Sequence, residues 1–123
     1  MSERMANALW LAEKCWGKAL AEAPDFVEQY LAICEEHLLE HEEVQGDVFR
    51  RLCKLRGLSL PPSLHHNTWV SGPMAMKKIG WITKIANVTP QEAHNHMPVV
   101  GMWKSNLFDG SHVMQYGQGE LDV

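Results

Sequence analysis

Histidines, cysteines and carboxylates are the side chains that most often hold metals or move protons. Here they gather in a few places. His65, His66 and Asn67 stand together in LHHNTW, and His94 and His96 recur in AHNHM. A metal-dependent nuclease needs carboxylates or further histidines around such a set, to hold the ion and polarise water. Between residues 48 and 104 the only acid is Glu92. No paired carboxylates, phosphate-cradling glycine loop or Ser/His/Asp set accompanies the histidines. The expectation is therefore no catalytic residue and no enzyme, with these histidines as turn and packing residues and His66 or His94 bonded to backbone near a hairpin. Cys34, His37 and His41 form a second set at i, i+3 and i+7, which one side of a helix can carry, and histidines four apart are a metal-binding spacing. No fourth ligand is fixed, and a packing stripe accounts for the same residues. No metal and no cofactor is expected.

The third set is basic. The net charge is -4, but the sign is divided along the chain. Residues 1–47 hold 3 basic and 11 acidic side chains, residues 48–104 hold 8 basic and one acidic, and residues 105–123 hold 3 acidic and none basic. A region so basic suits a polyanion, whereas the acidic region would be repelled by one. Lysine offers a point charge to phosphate, and Ser or Thr a hydroxyl to phosphate or base. Lys77 and Lys78, with Thr68, Ser71 and Met74, are candidates to face double-stranded DNA. Arg50, Arg51, Lys54, Arg56, Lys84 and Lys104 would extend the phosphate footprint. The plain alternative is a solvated surface.

These residues need a scaffold, and 123 residues with 46% apolar and 21% charged side chains suffice for one domain with a core. No apolar run approaches the roughly 20 residues that span a bilayer. The opening MSERMANALWLAEKCWG carries Glu3 and Glu13 and lacks the pattern of a signal peptide. Cys15, Cys34 and Cys53, odd in number and each inside a helical pattern, read as reduced thiols of a cytoplasmic protein.

Periodicity predicts a helix over 3–22, with Met5, Leu9, Ala12, Trp16 and Leu20 on one face, stopping before Pro24. A second helix follows over 25–43, opened by a capping box of Asp25 and Glu28, with an acidic face of Glu28, Glu35, Glu36, Glu42 and Glu43. A third spans 47–56, with Asp47 as N-cap, Gly57 as stop and Leu58 folding back on the last turn. SLPPSLHH is a stiff connector. A fourth helix runs over 68–79, beginning either late, with Pro73 in its first turn, or with an irregular first turn. WITKIANV (81–88) and MPVVGMWK (97–104) read as strands of a hairpin, TPQEAHNH as its loop, and the tail 105–123 as loosely ordered. Trp69, Trp81 and Trp103 are expected in the core. The helix over 1–22 either caps its own domain or makes a homodimer, and the dimer is favoured because it would match two DNA half-sites.

The runs HNTWVSGPMAMKKIGWI and HNHMPVVGMWK resemble small winged-helix-like proteins encoded in phage and prophage early regions. Those proteins carry an H-N-x-W-G run, then a G-x-I, then a polar hairpin ending in a V-x-W-R/K-like strand. GDVFRRLCKLRGLSLPP resembles the helix before it, and the likeness covers about residues 25–104. Val70 stands where the family has Gly, and Pro73 interrupts the helix. With the first helix set aside, the predicted order of three helices and then a hairpin is the winged-helix order, and the resemblance points the same way: an α+β, mostly helical fold, a winged helix of three helices and a β-hairpin wing over 25–104, to which the N-terminal helix is an addition. The resemblance also implies a DNA-binding role accessory to replication, recombination or transcription control, in proteins mostly without an assigned activity. In that layout 68–79 is the recognition helix and 81–104 the wing. The rival expectation is a protein–protein adaptor or inhibitor acting through the acidic helices.

Overall fold

The computed structural model describes residues 2–89 and 100–109. Ser2 starts the first helix by accepting a hydrogen bond from the Met5 amide at 3.1 Å, and α1 runs Glu3–Cys15. The expected 3–22 helix breaks at Trp16, whose φ of -140° and ψ of 31° are not helical, and resumes as α2 (Gly17–Glu22). The break drops the Trp16 ring inward, 7% exposed, against Tyr30.

Pro24 does not end a helix so much as begin one: it occupies the first position of α3 (Pro24–Glu40), where its missing N–H has no partner to lose. Ala23 is the N-cap and no side chain caps it, so the expected Asp25–Glu28 box does not form. α3 is the central helix. Phe26, Val27, Tyr30, Leu31, Cys34 and Leu38 are buried along it. It ends at Glu40 rather than 43, because Glu43–Gln45 is a short strand, β1. α4 (Gly46–Leu55) follows directly, with Gln45 as N-cap and Asp47 buried in the first turn instead of capping. Gly57, at φ 80°, stops it, and the Leu58 amide reaches back to the Cys53 carbonyl at 2.9 Å. Leu58 folds onto the core as expected.

α5 spans Thr68–Ile79 with Pro73 inside it. Of the two starts open to the sequence, the irregular one occurs. The amides of Thr68, Trp69 and Val70 bond to the carbonyls of His65, His66 and Asn67, three residues back, before the four-residue pattern sets in at Ser71. A tighter first turn places the proline ring without ending the helix. Gly80, at φ 97°, closes α5, with the Trp81 amide bonded to the Met76 carbonyl at 3.0 Å.

β2 (Ile82–Val88) and β3 (Val100–Ser105) pair antiparallel. The register shifts between Lys84 and Ala86, so Ile85 sits at an irregularity. β1 pairs with the other edge of β3, Val44 opposite Trp103, which gives a three-stranded sheet in the order β1-β3-β2. The fold is α+β and mostly helical. The expected loop residues Glu92, His94 and His96 and the tail beyond 109 lie outside the described residues. Ser105 ends the sheet from within: its hydroxyl donates to the Leu38 carbonyl at 2.7 Å and accepts from the amides of Leu107 and Phe108.

One core joins all the layers, and α1 belongs to it through Met5, Ala8 and Ala12. The N-terminal helix therefore covers its own domain. Trp10 is left on its outer side, 59% exposed, under the Lys14 ammonium at 3.8 Å. The centre of the core is aromatic. Tyr30 meets Trp16 edge-on at 5.4 Å and Phe26 at 6.1 Å, and Trp69 meets Phe26 at 5.5 Å. Trp81 and Trp103 are buried as expected, and Trp69 is half-buried against the same core, with Phe26 and Tyr30 as its ring partners among the described residues.

α5 approaches this cluster through Gly72. A Cβ there would lie 2.3 Å from Tyr30 Oη and 2.5 Å from Tyr30 Cζ, and Tyr30 is fully buried. Ala for Gly inside a helix ordinarily gains about 1 kcal/mol. Gly72→Ala should instead lose about 2 kcal/mol or more through overpacking, read as a lower urea midpoint. Tyr30 Oη meets no oxygen or nitrogen partner among the described residues and has only the Cys34 thiol, a weak partner, beside it, so Tyr30→Phe should shift stability by less than about 1 kcal/mol.

Candidate nucleic-acid interface

Helical spacing and the depth of α5 in the core decide which of its side chains reach solvent. Gly72, Pro73, Ala75 and Met76 are buried, whereas Val70, Met74, Lys77 and Lys78 are exposed on the opposite side. Thr68 is half-buried in the first turn. Ser71 is directed inward: its hydroxyl accepts from Trp16 Nε1 at 3.0 Å and donates to the Thr68 carbonyl at 3.0 Å. Of the α5 residues expected to face DNA, Met74, Lys77 and Lys78 are thus brought to one exposed surface, and Ser71 is engaged with the core.

The remaining basic residues divide similarly. Arg50, Arg51 and Lys54 are exposed on α4, and Lys84 is exposed on β2. Arg56 is committed to the acidic helix, with its guanidinium donating to both Glu36 carboxylate oxygens at 2.8 and 3.2 Å. That guanidinium holds the Glu36 carboxyl below the usual carboxylate range. Lys104 lies on the middle strand with Glu43 and Thr83 as its cross-strand neighbours, so a carboxylate on β1 offsets part of its charge. Arg4 bonds Glu35 at 3.3 Å. The acidic side is thereby partly neutralised by the chain's own arginines.

In the sequence Asn67 stands out only beside the histidines, Val70 only as a departure from the family run and Ile85 not at all, yet all three are exposed on α5 and β2 or at the start of α5. Their types alone carry no charge signal. Only the fold shows that Val70 and Ile85, at 55% and 48% exposure, are apolar side chains left uncovered.

The histidines do not converge. His65 and His66 are exposed in the turn before α5, with ring centroids 4.1 Å apart, and His65 Nδ1 accepts the Asn67 amide at 3.1 Å. The backbone bond expected of His66 or His94 falls to His65 in the turn before α5, and His94 lies outside the described residues. Cys34 is buried, His37 half-buried and His41 exposed. His37 and His41 stack at 3.9 Å, and His41 Nδ1 lies 3.0 Å from the His37 carbonyl. Among the described residues no group of three or more His, Cys, Asp or Glu is placed to hold a metal ion. The three cysteines are free thiols. No helix among the described residues is long and apolar enough to cross a membrane.

No family model, curated protein or solved structure matches this chain.

His37 carries a consequence for stability. Burial, then the nearby His41 and Arg51, push its pKa from 6.5 down to about 4. The unfolded chain takes up this proton first as pH falls, so stability is full above the unfolded value and is lost between pH 6.5 and about 4. Discounted for the half-exposed ring, the loss should be about 1–2 kcal/mol. Urea midpoints measured across this window should fall with pH, and His37→Gln should flatten the fall.

Proposed function

We propose that this protein is a non-enzymatic, winged-helix-like DNA-binding protein, with α5 as its recognition helix and β2–β3 as its wing. The observation that carries the reading is the outward face of α5. It ends in Lys77 and Lys78 and is joined through Gly80 and Trp81 alone to the strand bearing Lys84. Exposed Arg50, Arg51 and Lys54 on α4 add to the same charge. The strand β1 supports it too. It falls between α3 and α4 and ties β3 to the helical layer, so that a hairpin stands fixed beside the last helix, as a wing must.

On the resemblance, the biological setting is a phage or prophage, in an accessory role in replication, recombination or transcription control. A homodimer through α1 belongs to the same proposal. Since Met5, Ala8 and Ala12 are spent in the protein's own core, such a dimer would have to be built around Trp10.

Fluorescence anisotropy of a labelled random-sequence duplex, taken across a salt series, tests the reading. Binding with Kd on the order of micromolar at low salt, weakening by a slope of about 0.9 per phosphate neutralised, is expected. Lys77→Glu with Lys78→Glu should weaken it at least about tenfold, whereas reversing Glu42 and Glu43 should not. No binding at any salt would contradict the proposal. If reversal of the acidic residues instead abolished function, the acidic helices would be the working surface, as an adaptor or inhibitor requires.

A further inference from the structure

Resting on the DNA reading above, we infer that α5 reads A·T pairs in the major groove, with Val70 and Met74 seated on thymine C5-methyl groups and Asn67 on an adjacent adenine. At 3.6 residues per turn, Asn67, Val70, Met74, Lys77 and Lys78 fall within an arc of about 100°, opposite the buried Gly72 and Met76. A face meant only for phosphate would carry hydroxyls and cations. This one carries Val70 at 55% and Met74 at 45% exposure, with the two lysines confined to the last turn.

The division along the helix matches the way a recognition helix meets DNA. Its N-terminal residues reach base edges and the flanks reach phosphate. The N-terminal part here offers a methyl-seeking surface, and the thymine methyl is the apolar group of the major groove. Asn67 makes no side-chain cap bond, which leaves its amide for the N6 and N7 positions of adenine. A guanine reader would need Arg or Lys on this part of the face, and none is there. Ser71 has given its hydroxyl to Trp16 and Thr68.

The test uses two duplexes of one A·T-rich sequence, one with thymine and one with uracil, which removes the methyl and leaves the pairing edges intact. The full chain should bind the thymine duplex more tightly, by about fourfold for each methyl covered. The Val70→Ala/Met74→Ala variant, checked for an unchanged circular dichroism spectrum, should bind both duplexes alike and keep its salt dependence. Equal binding by the unaltered protein, with steep salt dependence intact, would overturn this readout and leave DNA binding standing. A preference that survives in the double variant would assign the methyl effect to duplex shape and also overturn it. Failure to bind either duplex would remove both readings, and self-association abolished in the double variant would then give this face to a second copy of the chain.

Discussion

The close approach of α5 to Tyr30 is the constraint on which the rest depends. A residue without a side chain at 72 lets the helix rest directly on a buried phenol ring. Trp16 meets that ring edge-on and at the same time bonds Ser71. Tyr30 thus fixes how deep α5 lies, and Ser71 fixes how it is rotated about its axis. Rotation decides everything that follows at the surface, because on a helix the residues that point inward dictate which point outward. With Gly72 and Met76 inward, Val70, Met74, Lys77 and Lys78 have no other place to go.

The same cluster explains why α1 and α2 are integral to the domain. The break at Trp16 delivers an indole to Tyr30 and its N–H to Ser71, so the N-terminal segment helps hold the helix that carries the candidate interface. The sheet acts from the opposite end. Trp103 on β3 lies against Gly46 and Gly101, where an added Cβ would come within 3.3 and 2.9 Å of its Nε1. β1 locks that strand to the start of α4. The charge division of the chain then acquires a spatial meaning: Arg4 and Arg56 pair with α3 carboxylates, while the lysines of α5 and β2 remain exposed.

Much of this was legible in the residues. The α3, α4 and α5 bodies follow from apolar spacing, the stops at Gly57 and Gly80 from glycine's access to positive φ, and the two strands of the hairpin from alternation and β-branching. What escaped has physical causes. β1 is three residues long, too short to display a period. The kink at Trp16 is imposed by tertiary packing of a large ring, and MANALWLAEKCWGKAL reads as unbroken helix without it. Asp25 and Asp47 have the right chemistry for caps, but Pro24 and Gly46 take the first helical positions ahead of them. Within the candidate interface, Lys77, Lys78 and Lys84 were legible from charge. The inward hydroxyl of Ser71, the loss of Arg56 to Glu36, and the exposure of Val70 and Asn67 depend on rotation and neighbours that no local pattern encodes.

The central claim is that the outward face of α5 is the surface that meets DNA. Backbone amide chemical shifts, followed by NMR while a short duplex is titrated into the isotopically labelled protein, test it most directly. The shifts should concentrate on Asn67–Lys78, on β2 around Lys84 and on the exposed side of α4, with Glu28, Glu35 and Glu36 on α3 undisturbed. Shifts gathered on the acidic side of α3, or none anywhere at low salt, would contradict it.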